Sequence, residues 1–364
     1  MKITAVSTIA LQLPFQHAGP PLFFAGKPRP GMEMLLVRVD TDEGITGWGE
    51  SFGPGIWLAT RATIETLIAP LCIGRDPAQI AALGEDLQRK LHALGRAGSV
   101  VFALSGLDIA LWDIAGKCKG VPLCRLLSET PRQDVPAYAS LLRYGEPRLV
   151  AEKAAEAVSR GYKHVKLHET GVAQTRAARE AIGTGNALML DTNCSWSVAE
   201  AIAVARELRD VGLLWFEEPV WPPEDFAGLA QVRRQGGIPI AAGENLATPT
   251  DFEHMLAAGA VDYVQPSIIK MGGVTEMVKV FNLAQSHGVA VMPHSAYFGP
   301  GLLATLHVCA ARATGPWAER YYCDLDASPL GDAINPVNGR MTVPHGPGLG
   351  VDPDPEVIEK FRVA

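Results

Sequence analysis

No Cys-x-x-Cys pair occurs among the six cysteines of this 364-residue chain (Cys72, Cys118, Cys124, Cys194, Cys309 and Cys323). A zinc ribbon, a thioredoxin-like redox motif and a dense disulfide framework are therefore not expected, and reduced thiols in a cytoplasmic protein are. No run of 18 uncharged apolar residues appears, so no membrane span is expected. No basic run appears either. The net charge is −7 with the signs mixed along the chain, which points away from nucleic acid and from an anionic membrane as partners. The start, Met1 to Phe15, alternates like a strand and lacks the apolar core and cleavage site of a secretory signal. There is no G-x-G-x-x-G after a strand, no Walker motif and no G-x-S-x-G elbow, so dinucleotide enzymes, nucleotide hydrolases and serine hydrolases fit poorly.

What is present is regularly spaced acid. Asp191, Glu217 and Glu244 lie 26 and 27 residues apart. Each ends a short apolar run: Ala-Leu-Met-Leu-Asp191, Leu-Leu-Trp-Phe-Glu217 and Ile-Pro-Ile-Ala-Ala-Gly-Glu244. A strand, a helix and two loops take roughly 25–40 residues, so this is the period of a βα unit. Parallel barrel strands present their C-terminal ends on one face, where such barrels hold their sites. Three successive strands then aim three acids at one point. A hard cation ligated by oxygens relieves that charge, and one Mg²⁺ per chain is expected. The competing reading makes each acid the cap of the helix after its strand.

The organisation changes along the chain. Residues 1–125 read as an α+β domain. Strand-like runs at Ile3–Leu13 and Met34–Asp40 flank a Pro/Gly-rich stretch, and the turn Asp42-Glu43-Gly44 leads into a third run ending at Glu50. The clearest helix is Ala103–Gly120, with Leu104, Leu107, Leu111 and Ile114 on one stripe and Gly120 as its stop. The loops Gly19–Gly31 and Ser51–Gly55 carry Phe23, Phe24 and Phe52 and are long for connections, which suits either a lid or a fixed docking loop. Residues 126–324 follow the βα rhythm, with strands near 135–139, 163–167, 187–191, 213–217, 238–242, 261–265, 289–293 and 319–324. Residues 325–364 are Gly/Pro-rich, hold no further barrel unit and should return to the first domain. A barrel plus an accessory domain suits this length and its 48% apolar content.

The other strand ends carry chemistry too. The second ends His164-Val-Lys166-Leu-His168, where the period of two puts Lys166 and His168 on one face. Lys166 either faces a bound anion or pairs structurally with an acid. Asn193, two residues past Asp191, can orient a bound carboxylate or water. Lys270, after the sixth strand, can neutralise the acid cluster. His294 ends the seventh strand as a candidate acid/base.

In order and spacing these features resemble the enolase superfamily, within its mandelate racemase/muconate lactonizing enzyme group. The signatures are Gly47-Trp-Gly-Glu50, Ala103 through Asp113, Gly116-Lys117, Pro122-Leu123, Asp191-Thr-Asn193, Glu217-Glu-Pro219, Gly243-Glu-Asn245 and Lys270-Met-Gly-Gly273, spread over essentially the whole chain. The resemblance implies an α/β fold, a modified TIM barrel (β/α)7β with an N-terminal α+β capping domain. It implies Mg²⁺-assisted removal of the proton next to a carboxylate through an enediolate, with a Lys or His base. Asp191, Glu217 and Glu244 match the metal ligands, and Glu218 should point away. An eighth-strand acid, Glu319 or else Asp324, should hydrogen-bond the substrate carboxylate. A dimer or octamer is implied.

Two positions depart from the best-known members. The usual Lys-x-Lys is here Lys166-Leu-His168, and the sixth-strand Asp or Lys is Ser267. His294 then lacks a carboxylate partner and should be the weaker base and the proton donor, while a Lys beside a metal can have its pKa lowered enough to be the base. His168 suits the protonation of a departing β-hydroxyl, as in members resembling galactonate dehydratase. The expected reaction is dehydration of a hydroxy-carboxylate of the acid-sugar type. The alternative is an isomerase, whether racemase, epimerase, cycloisomerase or lactone-opening enzyme; the alternative of another class is a non-catalytic barrel kept for binding or assembly. Phe24, Phe52 and Tyr297 are expected at the substrate, with Trp196, Arg143, Tyr144 and Phe298 as further specificity candidates.

Overall fold

The computed structural model describes residues 1–313 and 315–363. Its first layer is an antiparallel meander of Ile3–Leu13, Met32–Thr41 and Thr46–Ser51. The turn between the last two is made by Gly44 at φ +77°. Helix Ser99–Lys119 packs on this sheet and ends at Gly120, whose left-handed φ of 65° closes the C-terminus. It starts four residues before the expected Ala103. By length and composition alone it could cross a membrane, but 78% of its apolar window is buried against the sheet and barrel. The sequence permits an unusually close approach here. A Cβ on Gly49 would lie 1.9 Å from the Gly106 carbonyl oxygen. The Gly-Trp-Gly run and Gly106 thus let a strand and a helix meet backbone to backbone.

The barrel follows in eight strands: Asp134–Ser140, His164–His168, Ala187–Asp191, Trp215–Glu217, Ile240–Ala242, Tyr263–Val264, Ala290–Val291 and Ala318–Tyr321. Consecutive strands pair in parallel from the first to the seventh, and the eighth pairs with the first. The seventh and eighth strands are joined by side-chain bonds: the Ser295 hydroxyl donates to the Glu319 carbonyl (2.8 Å) and its N–H to the Glu319 carboxylate (2.9 Å). The period of two sets the floor of the barrel. Trp215 packs inward with Tyr138, Met189, Ala241 and Met292, while Phe216 faces the outer helices.

The register aligns the acids. His168 pairs with Asp191, and Asp191 with Glu217, so three strand ends stop at one level. The following helices are capped by other residues: Ser197 with Glu200, Asp225, and Thr248 with Asp251. Asp191, Glu217 and Glu244 therefore have no capping duty, which removes the competing reading of their spacing.

The C-terminal segment meets the capping domain at its start, where Asp324–Leu325 pairs antiparallel with Phe15–Gln16. One part was not expected: Arg340–Thr342 pairs antiparallel with the first barrel strand at Asp134–Pro136, adding a strand to the barrel sheet. Helix Pro355–Phe361 then leads to the capping sheet, where the Val363 N–H donates to the Ala10 carbonyl at 2.9 Å. The Gly/Pro-rich sequence masked this three-residue strand.

Candidate active site

Asp191, Glu217 and Glu244 each offer an oxygen within 4.8 Å of the others. Lys166 reaches into the same cluster. Its Nζ lies 3.1 Å from Asp191, 2.8 Å from Glu217 and 2.8 Å from Glu319, with none of its side chain exposed. Burial opposes charge on this amine, but Glu217, Glu319 and Asp191 overcome it and hold the lysine well above its usual pKa. Burial also opposes ionisation of Asp191, yet Lys166 and His168 hold it well below the carboxylate range. Glu217 is pushed well above that range by burial and by the charge of Asp191, with Lys166 offsetting only part. Lys166 thus meets Asp191, Glu217 and Glu319 at once, and Glu244 is held low by His294 and Lys270. All the donors are hard carboxylate oxygens, so the cluster fits a divalent cation of the Mg²⁺ type.

The two histidines frame the acids. His168 Nδ1 is 2.5 Å from the Leu141 carbonyl, an acceptor only, so Nδ1 carries a proton and donates. Its Nε2 lies 3.2 Å from Asp191. His294 Nε2 lies 2.9 Å from Glu244, and its Nδ1 is 3.1 Å from the Ser267 hydroxyl. The sixth-strand position behind His294 is Ser267, on Nδ1; the carboxylate that the ring meets, on Nε2, is Glu244 of the acid cluster. Both rings remain partly open, at 14% and 12% exposure, and line a cavity of about 1060 Å³ over the barrel mouth. Lys166 does not line it. Among three carboxylates with no cation between them its pKa rises, and the lowering expected beside a metal is a property of the loaded site.

The remaining expected residues divide. Phe24, Phe52, Asn193 and Lys270 line the cavity, as do Arg143 and Tyr144. Asn193 turns its amide on Asp191 Oδ1 (3.0 Å), so it orients that acid. Lys270 donates to Asn245 (3.2 Å), stands 3.7 Å from Glu244 and lies 5.3 Å from the Phe52 ring centre. Tyr297 and Glu319 are not on the cavity wall. The Tyr297 N–H turns back to the Ser295 carbonyl, which leaves Ala296 at the cavity and buries the tyrosine, whose hydroxyl bonds the His294 carbonyl at 3.0 Å. Glu319 is fully buried on Lys166, Ser140 and Ser295. Asp324, the other eighth-strand candidate, is exposed and paired with Arg160. Trp196 and Phe298 are not among the wall residues either. Glu218 accepts from Asn245 (2.8 Å) and Cys194 (3.6 Å) instead of entering a salt bridge among the described residues; burial and Glu244 push it up to about 8. Asn193, Cys194 and Glu218 all hold positive φ, the strained backbone of a shaped site.

Sequence reasoning missed Tyr321, Trp221 and Arg29, all on the cavity wall. Tyr321 had a signal, since it lies two residues after Glu319 on one strand face. Arg29 sits in an aperiodic loop and had none.

An α+β cap over a parallel barrel, with acids on the third, fourth and fifth strands and histidines on the second and seventh, defines enzymes that ionise the carbon beside a carboxylate. The chain belongs to the enolase superfamily, in its mandelate racemase/muconate lactonizing group. Residues 8–128 match the N-terminal domain of mandelate racemase/muconate lactonizing enzyme, and residues 149–357 match the enolase C-terminal domain-like family. It is therefore an enzyme, a lyase or an isomerase, of a family that works with a divalent metal. The chain is similar to the D-galactarolactone cycloisomerase of Agrobacterium fabrum, at 34% identity over all of this chain and 99% of that one. The arabinonate dehydratase of Saccharolobus solfataricus is 32% identical over 91% of each chain. Among solved structures, a mandelate racemase/muconate lactonizing protein from Paracoccus denitrificans PD1222, complexed with magnesium, superimposes with a TM-score of 0.86. It is 28% identical, over 100% of this chain and 98% of that one.

Proposed function

We propose that this enzyme removes the proton next to the carboxylate of a hydroxy-carboxylate and expels the β-hydroxyl, acting as a hydro-lyase on an acid sugar. The observation that carries this reading is the pair of cavity-facing histidines on either side of the acid cluster. Asp191, Glu217 and Glu244 would hold one Mg²⁺, and the magnesium in the Paracoccus relative supports that choice of metal. When bound, such an ion supplies Lewis-acid stabilisation of negative charge on a carboxylate.

The chain's own residues have distinct tasks. Lys166, buried among carboxylates, contributes positive charge beside Asp191, Glu217 and Glu319. His294, backed by Ser267, takes the α-proton. His168, its tautomer set by the Leu141 carbonyl, presents Nε2 as the site of the proton given to the leaving hydroxyl. Asn193 holds Asp191 in orientation, and Lys270 adds positive charge beside Glu244. Glu319 acts through Lys166 and Ser295. Phe24 and Phe52 close the mouth from the cap.

The second reading is isomerisation or lactone opening by the same enolate chemistry. The cycloisomerase named for the Agrobacterium relative favours it, and it needs only that His168 deliver its proton elsewhere. We also propose a division into a cap at 1–125, a barrel at 126–324 and a return segment at 325–364. A dimeric or octameric, cytoplasmic enzyme is part of the same proposal; six free cysteines support a reducing compartment. The test is a screen of hydroxy-carboxylates for 2-keto acid formation with Mg²⁺ and with excess chelator. Metal-dependent keto acid supports the dehydratase; an isomer without keto acid transfers the reading to the isomerase.

A further inference from the structure

Lys270 reaches the cavity from the short segment between the sixth barrel strand and helix Gly273–Ser286. That helix begins without a cap of its own. Its N-cap is Gly272, at φ +101°, and Gly273 follows at φ +81°. This left-handed pair favours glycine, which has no side chain to accept the first N–H groups. The acceptors come from the other domain. Ser105, Asp108 and Trp112 follow one another at helical spacing on one face of helix Ser99–Lys119. The Ser105 hydroxyl donates to the Val101 carbonyl (2.7 Å) and accepts from the Gly272 N–H (2.8 Å). The buried Asp108 carboxylate accepts from the Thr275 N–H (3.0 Å) and from the Thr275 hydroxyl. The Thr275 oxygen in turn accepts from Trp112 Nε1 at 2.9 Å. A Cβ on Gly273 would lie 2.4 Å from Asp108 Oδ1, so the carboxylate rests against a bare Cα. A capping loop holds the same segment: the Phe52 N–H donates to the Ile269 carbonyl at 3.3 Å.

We propose that Asp108 of the capping domain is a positioning residue for the active site, capping helix Gly273–Ser286 across the domain interface and so placing Lys270 beside Glu244 and Asn245. This rests on the role given to Lys270 above, not on the choice between dehydration and isomerisation. A helix start leaves N–H groups without intrahelical acceptors, and its dipole favours an anion there. Asp108 supplies both the acceptor and the charge. Lys270 stands two residues before Gly272, so a shift of the first helical turn carries it along. Its Nζ donates to Asn245 at 3.2 Å and lies 3.7 Å from Glu244, and Asn245 donates to Glu218 at 2.8 Å. Asp108 is not on the cavity wall, so its influence on the acids passes through Lys270.

Two measurements on the full chain test this. The first needs no turnover. Reductive methylation with formaldehyde, read by peptide mass spectrometry, gives the modification rate of Lys270 against that of the exposed Lys163. Asp108→Asn keeps an acceptor and loses the charge. It should raise the Lys270 rate relative to Lys163 by about threefold or more, the shift that loss of one hydrogen bond allows. Ser105→Ala should act in the same direction, and it decides if Asp108→Asn does not fold. The second is a double-mutant cycle on Mg²⁺-dependent α-proton exchange with a hydroxy-carboxylate. Asp108→Asn should slow exchange in the wild-type background and add little in Lys270→Met, because it acts through that lysine. An unchanged Lys270 rate in both variants overturns the proposal, as does a rise shared equally by Lys163. Additive losses in the cycle overturn it too, since they mark a general structural effect. If the wild type exchanges no α-proton on any hydroxy-carboxylate, the functional reading fails, and the labelling alone decides this inference.

Discussion

Lys166 and His168 share one face of one strand, yet burial gives them different chemistry. Lys166 is sealed among Asp191, Glu217 and Glu319, and His168 keeps an edge in the cavity. The strand period showed that both point inward, but not how deeply each would sit. Depth depends on where the neighbouring strands stop, and that is a tertiary property. Breaking a buried ion cluster by removing one partner costs about 3–5 kcal/mol. Lys166→Met, unfolded in urea without metal, should therefore lose stability on that order. Added Mg²⁺ should restore part of it and stabilise the variant more than the wild type. An unchanged urea midpoint would show that the lysine contributes no net stabilising charge. The three acids were legible because their period is long-range and regular. Tyr297 was misplaced because one backbone turn at Ser295 exchanges it with Ala296 at the cavity wall.

At the scale of elements, the glycines of the third capping strand and the long helix carry the fold. Gly49→Ala would drive a Cβ to 1.9 Å from the Gly106 carbonyl, a backbone clash that no side-chain rotation relieves. We expect a loss of at least about 3 kcal/mol, read as a fall in melting temperature or in folded yield. The next residue, Glu50, joins the cap to the barrel by accepting the Gly301 N–H at 2.9 Å, at the start of helix Pro300–Ala310. Burial pushes its carboxyl from 4.5 up to about 8, only partly offset by the Gly301 N–H. A raised folded pKa gives stability that is full below the unfolded value and is lost as pH rises through the folded one. Stability should therefore decline between about pH 4.5 and 8 by an amount of order 1–4 kcal/mol from this group. Glu50→Gln keeps an acceptor and cannot ionise, so its urea midpoint should fall less over that range. The helix and meander were readable from period and turn residues. The strand Arg340–Thr342 was not, because three residues give no period to read.

At the scale of the molecule, the cap supplies what the barrel lacks. The barrel brings acids, a sealed lysine and two histidines to one rim. Phe24, Phe52 and Arg29 come from the cap and close the space above them. The barrel architecture and its acid rim were legible because βα units repeat. The cap loops were legible only as candidates, since an aperiodic Pro/Gly-rich segment can dock in many ways. The central claim is that His294 handles the α-proton and His168 the leaving group. Its most direct test runs a turned-over hydroxy-carboxylate in deuterated water with Mg²⁺, and follows α-deuterium incorporation and keto acid together in His294→Ala and His168→Ala. A positioned proton carrier contributes about 10²–10⁴-fold. His294→Ala should lose both signals by that order, whereas His168→Ala should lose keto acid by that order and retain most of the exchange. Exchange that survives in His294→Ala, or exchange and product lost equally in His168→Ala, would contradict the assignment.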